Sequence, residues 1–120
     1  GRYSFVVIEL LRRRVLMATD RFAVHPVCFT VDGSRVAFAD RADRVPTRVT
    51  RRIDPQALLR YVYFHCLPAP ETLFVGVRRL AAAEAIEASA DGARQWFHWQ
   101  PRFVEPDVAD LPALRDEFMA

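Results

Sequence analysis

"RVLMATDRFAVHPVCFTVDGSRVAFAD", Arg14 to Asp40, is the stretch on which the fold turns. Its second half places "PVCFTV" and "RVAFAD" on either side of Asp32-Gly33-Ser34, and an Asp-Gly pair between apolar runs is a strong hairpin signal. Just upstream, "YSFVVIEL" is β-branched and aromatic and reads as a buried strand. The Arg12-Arg13-Arg14 triplet reads as a polar turn, and "RVLMATD" returns as the partner strand. Four antiparallel strands in succession predict a meander. Between the two pairs lies "TDRFAVHPVCF", Thr19 to Phe29, which is predicted to be a strand–turn–strand corner. Asp20 is expected to hydrogen-bond backbone amides of the turn that runs to Pro26. Ala23 carries a steric penalty if its position requires a positive φ.

Further along, Arg41 to Arg52 is polar and without a period, and is expected to be a loop. Asp54-Pro55 then supplies an N-cap and a first-turn proline for "QALLRYVYFHC". Leu58, Leu59, Val62 and Cys66 form one apolar stripe on that helix. Pro68 and Pro70 stop it, and Gly76 marks a turn. "EAIEAS" and "ARQWFHW" pair across a second Asp-Gly turn, Asp91-Gly92. A Pro- and Asp-rich connector leads to "LPALRDEFMA", read as a C-terminal helix with Asp110 as N-cap and Pro112 in its first turn. No internal repeat is present. The fold class is therefore α+β: antiparallel hairpins, one main helix and one terminal helix.

Composition narrows the function classes. With 120 residues, 52% of them apolar and 27% charged, the chain is expected to be one soluble globular domain. No apolar run approaches the roughly 18–20 residues of a membrane span. The chain begins with Gly and shows no signal-peptide pattern, so its start reads as a cut. Cys28 and Cys66 lack CxxC spacing, which suggests reduced thiols in the cytoplasm. All 17 basic residues are Arg, so no lysine base, Schiff base or P-loop lysine can come from this chain. A net charge of +2 and short, scattered Arg clusters argue against nucleic acid.

The candidates for chemistry are few. Cys28 is expected inside a strand and Cys66 at the end of an apolar helix stripe, both as buried, inert thiols. His65 and Cys66 are neighbours on a helix and diverge by about 100° around its axis. His25, His65 and His98 fit no metal-ligand spacing with the cysteines. Glu84 and Glu87 are three apart in a strand and face opposite sides. No catalytic, cofactor-binding or metal residue is therefore assigned.

The residues nevertheless resemble a known family, the glutamine-hydrolysing asparagine synthetases, in the later part of their N-terminal glutaminase domain. "GRYSFVVIE" is similar to that family's Gly-aromatic-small-aromatic strand ending in an acid, through Gly1, Tyr3, Ser4, Phe5 and Glu9. "TDRFAVHP" resembles its Arg-Asp-x-x-Gly-x-x-Pro turn: Asp20 and Pro26 match, while Thr19 and Ala23 stand for Arg and Gly. "VAFAD" keeps Phe38 and Ala39 of a Phe-Ala-Ser-Glu strand end and substitutes Asp40-Arg41. "IDPQALLRYVYFHCLPAPETLFVGVRRL" follows the family's Asp-Pro helix, Pro-x-Pro turn, Thr-Leu-Phe-x-Gly-Ile and basic-Leu segment almost throughout. Ala81-Ala82-Ala83 stands where the family usually has Pro-Pro-Gly, and Trp99 where its Tyr-Trp ends the domain.

The resemblance implies a partial N-terminal-nucleophile αββα sandwich. Residues 1–104 would form the C-terminal half of a glutaminase domain, and residues 105–120 a linker and the first helix of a synthetase domain. It also implies a parent that hydrolyses glutamine with an N-terminal Cys and passes ammonia to a carboxylate activated by ATP and magnesium. The family's nucleophile, glutamine-clamping Arg and oxyanion segment precede the matched region, and its pyrophosphate loop follows it. The chain is thus expected to be inactive alone and to hold no cofactor. Its expected partners are the missing N-terminal half and a synthetase domain, with self-association as a further expectation. Two alternatives stand: a degenerate glutaminase scaffold of a β-lactam- or macrocycle-forming relative, and a free-standing Arg-rich domain that binds an anionic partner.

Overall fold

The computed structural model describes residues 1–47, 50–103 and 111–119. Strands β1 (Ser4–Glu9), β2 (Arg14–Thr19), β3 (Cys28–Asp32), β4 (Arg35–Ala39), β5 (Arg78–Arg79), β6 (Glu84–Ser89) and β7 (Gly92–Phe97) are joined by helices α1 (Pro55–Phe64) and α2 (Leu111–Met119). All pairings are antiparallel. The α+β class and the three hairpins β1–β2, β3–β4 and β6–β7 match the sequence reading.

The meander does not form. The first two strands belong to one sheet, ordered β1-β2-β6-β7, and the next two to another, ordered β4-β3-β5. The Thr19–Phe29 segment carries the chain between the sheets, because β2 takes β6 as its second neighbour, with Met17 opposite Ile86. The two sheets stack. Met17 and Ile86 from the first meet Phe29 from the second, with Val27 and Leu80 completing a buried cluster. Beyond the second sheet a smaller cluster of Cys28, Ala37, Val45 and Val77 forms its other face, with Phe74 against it. Val45 follows a single 3-10 turn, Ala42–Arg44, inside the segment expected to be irregular.

Strand β1 is not buried as expected. It has β2 as its one strand neighbour among the described residues, and register places Phe5 and Val7 on the face turned away from the second sheet. Leu16 of β2 and Trp96 of β7 share that face, and Phe5 (42% exposed), Val7 (51%) and Trp96 (36%) remain open to solvent. The turn occupies residues 10–13, so it takes in Leu10 and Leu11 beside Arg12 and Arg13, while Arg14 starts β2 opposite Glu9.

Helix α1 starts as read: Asp54 Oδ1 accepts from the Gln56 amide at 2.9 Å, and Pro55 takes the first turn. It ends at His65, which adopts a left-handed conformation (φ 55) and donates its amide to the Tyr61 carbonyl at 2.8 Å. Its apolar stripe is not packed. Ala57 is the buried residue of the helix, whereas Leu58, Leu59 and Val62 are 44%, 62% and 64% exposed. The helix meets the body through its small first-turn residue, so the stripe faces outward. α2 forms over the predicted segment, with Phe118 and Met119 exposed. The boundary at 104/105 and the Asp110 cap lie outside the described residues.

The chain exposes 9517 Å², whereas a folded monomer of 13.8 kDa exposes on the order of 6,600 Å². The open face of the first sheet and the open stripe of α1 contribute to that excess, as do Leu11 (99% exposed), Phe103 (93%) and Phe118 (91%).

Candidate functional site

Among the described residues the buried polar side chains, Thr19, Asp20 and Glu84, gather at the corner after β2. Thr19 and Asp20 are 0% and 2% exposed, so each polar atom there needs a partner. Asp20 Oδ2 accepts from the Tyr3 amide at 2.9 Å and Oδ1 from the Phe22 amide at 2.8 Å. Its own amide donates to the Tyr3 carbonyl at 2.9 Å. The Phe22 amide, against the opposing effect of burial, holds the Asp20 carboxyl below the ordinary carboxylate range, helped by the Tyr3 and Val24 amides and by His25. The Asx role expected of Asp20 is present, and it reaches further than the turn. The Asp20 carbonyl accepts from the amides of Ala23 (3.1 Å) and Ala83 (2.8 Å), so one residue ties β1, the turn and the entry to β6. Both alanines have positive φ, 48° and 57°. Both stand where the resembling family has glycine.

Neighbouring side chains complete the corner. Thr19 Oγ1 donates to the Ala81 carbonyl at 2.7 Å, and Glu84 Oε2 accepts from the Ala81 amide at 2.7 Å. His98 Nε2 lies 2.8 Å from the Thr19 carbonyl, an acceptor, so this nitrogen carries the proton. The His98 amide donates to the Ala83 carbonyl at 2.9 Å. The sequence reading missed Glu84 and His98 as members. The spacing Ala81-x-x-Glu84, a carboxylate three residues after a free amide, resembles a capping pattern and was the available signal. His98 left no local signal, because its partner is 79 positions away.

The two thiols part company. Cys28 is 4% exposed, as expected, and burial raises its pKa although Arg79, its register partner, pulls the other way. Cys66 is exposed, which corrects the expectation of a buried thiol: the helix has already ended at Phe64, and Cys66 sits in a bend beyond it. Both line one cavity of about 570 Å³ between β3, α1 and Phe74. A thiol nucleophile needs a base within hydrogen-bond reach, and no histidine lines this cavity among the described residues. His25 lies in the turn, His65 caps α1 and His98 belongs to the corner; the three are not brought together.

The acidic pair also divides. Glu84 serves the corner, while Glu87, on the opposite face of β6, meets Arg14 at 3.2 Å, and Arg14 also holds Glu9 at 2.6 Å. Among the described residues no group of three or more His, Cys, Asp or Glu could hold a metal ion. The arrangement fixes backbone; it has no reacting group poised against a base.

Comparison with known proteins matches residues 1–99 to the glutamine amidotransferase domain family. Asparagine synthetase (glutamine-hydrolyzing) 3 of Bacillus subtilis (strain 168) is 26% identical over 102 residues, covering 82% of this chain and 17% of that protein. Putative asparagine synthetases (glutamine-hydrolyzing) of Mycobacterium bovis and Mycobacterium tuberculosis are 27% identical over 125 aligned positions, covering 100% of the chain and 19% of each protein. The chain therefore spans less than a fifth of the length of the curated relatives it matches.

Proposed function

The chain belongs to the glutamine amidotransferase domain family, and we propose that it is the later half of the glutaminase domain of an asparagine-synthetase-like amidotransferase. In this reading the catalytic thiolate is an N-terminal Cys supplied by an upstream segment. It attacks the side-chain carbonyl of glutamine, a thioester forms and ammonia leaves; water then releases glutamate. The ammonia goes to a carboxylate activated in a synthetase domain, in the cytoplasm. This chain contributes the rigid two-sheet platform and no reacting atom. The synthetase domain would hold ATP and magnesium. The described residues offer no donor set for the metal, so no step through it is assigned to this chain.

The observation that carries the reading is the open face of the first sheet. Phe5, Val7, Leu16 and Trp96 present an apolar surface beside a β1 edge that no strand pairs among the described residues, a combination that globular domains normally cover. An upstream half that adds strands at β1 and a helical layer over this face completes an αββα sandwich. The short span of this chain within its relatives supports the same division. Residues 105–120 then lead into the synthetase domain.

The test is complementation. The chain alone is expected to release no ammonia from glutamine, whereas the chain joined to the segment encoded upstream of it hydrolyses glutamine and loses that activity when the new N-terminal Cys is changed to Ala. Activity of the chain alone that disappears in Cys28→Ala or Cys66→Ala overturns the assignment. A joined protein that folds and stays inactive selects the degenerate scaffold instead.

A further inference from the structure

The tips of the β1–β2 and β3–β4 hairpins come from different sheets and enclose a second cavity of about 570 Å³. Its charged rim is unbalanced. Arg14 is held by Glu9 and Glu87, and Glu9 also takes Arg12 at 3.2 Å. Arg13 and Arg35, which line the same cavity, form no ion pair among the described residues. Asp32 stands opposite Arg35 in register without reaching it. Two guanidiniums without an ion pair among the described residues, one from each hairpin, thus line one space with Ser34 and with apolar walls from Ile8, Val36 and Phe38.

We infer that this cavity binds a small dianionic oxyanion that carries an apolar group, a phosphate monoester of an aromatic or aliphatic alcohol. Guanidinium forks match phosphate oxygens bidentately, and a dianion offsets the charge of both. The walls take the apolar part, since Ile8 and Phe38 are 55% and 36% exposed. The site is independent of the glutaminase reading: it uses neither the corner nor the open sheet face.

Phenyl phosphate, benzoate and phenol are titrated against the whole chain while amide chemical shifts are followed. Phenyl phosphate is expected to move the amides of residues 10–14 and 33–36 and to bind at least about tenfold tighter than phenol, the difference of roughly one charge-assisted contact. Benzoate, with one charge, binds more weakly than phenyl phosphate. Arg13→Gly keeps the turn, because Arg13 already sits at φ 49, where Gly is unstrained. Arg13→Gly and Arg35→Gln are each expected to weaken phenyl phosphate several-fold and together at least about tenfold, while Arg52→Gln, an exposed arginine elsewhere, changes nothing. Unchanged affinity in the double variant, or an equal loss in Arg52→Gln, overturns the proposal.

Discussion

Ala23 and Ala83 allow opposing energies to be separated at one hydrogen-bonded centre. Each holds a left-handed backbone, and each donates to the Asp20 carbonyl. An L-residue in that region costs roughly 1–2 kcal/mol, which a Gly relieves. Gly in turn costs roughly 0.4–1 kcal/mol through the larger entropy of the unfolded chain. For Ala23, which is half-buried, the balance favours Ala23→Gly by about 0.5–1 kcal/mol. Ala83 is 1% exposed, so Ala83→Gly also forfeits a buried methyl worth about 0.8 kcal/mol, and its net effect should be close to zero. Urea unfolding followed by circular dichroism reads the difference. With a slope of about 2 kcal/mol per molar, Ala23→Gly should raise the midpoint by roughly 0.3–0.5 M and Ala83→Gly should leave it nearly in place. Ala57→Gly, in a helix with ordinary backbone, loses helix propensity and a buried methyl together and should lower it by about 0.8–0.9 M. The double variant need not be additive, because the two amides share an acceptor. A lower midpoint in Ala23→Gly would refute the strain argument, and a larger gain at Ala83 than at Ala23 would refute the weight given to the buried methyl.

Asp20 should govern the acid limb. Its folded-state carboxyl lies below the ordinary value, so its contribution is fully present above about pH 4 and is lost as pH falls through the folded pKa. Asp20→Asn should lower the urea midpoint at pH 7 and flatten its dependence below pH 4; parallel profiles for the two proteins would remove Asp20 from that role. Maleimide should label Cys66 in the native protein and Cys28 after unfolding, read by mass spectrometry of peptides, and prompt labelling of Cys28 would contradict its burial. Amide exchange should be slowest in β2 and β6, which hold the buried residues Met17 to Thr19 and Glu84 to Ile86, and fast in α2; equal protection would mean that α2 is packed in solution.

Much of the local structure was legible in the sequence. Asp-Gly turns located two hairpins, and Asp54-Pro55 located the start of α1, because these signals act within a few residues. What escaped was non-local. Nothing near Met17 announces that its strand will pair with Ile86 rather than continue a meander, and β-branched content in Tyr3–Ile8 cannot tell a covered strand from an edge strand with one open face. The α1 stripe reads the same whether a neighbour covers it or not. Of the corner, Asp20 was legible from turn chemistry, whereas Glu84 and His98 join it only once β6 and β7 are in place. The glycine positions of the family motif pointed to backbone that the alanines here still adopt.

The strand order also dictates a sequence of events in time. Thr19 and Glu84 meet at the corner although 65 positions separate them, and the whole second sheet and α1 lie inside that loop. Closing such a loop in a disordered chain costs about 3–4 kcal/mol beyond the constant term, against little for the hairpins. The β1–β2 and β3–β4 hairpins can therefore form early and on their own, and the β2–β6 seam last, once the second sheet has folded and shortened the gap. Conservative truncations at Ile86 should then speed unfolding with little effect on the folding rate, whereas truncations at Val31 should slow folding. A ribosome releasing the chain from its N-terminus would leave β2 waiting with one bare edge until β6 emerges.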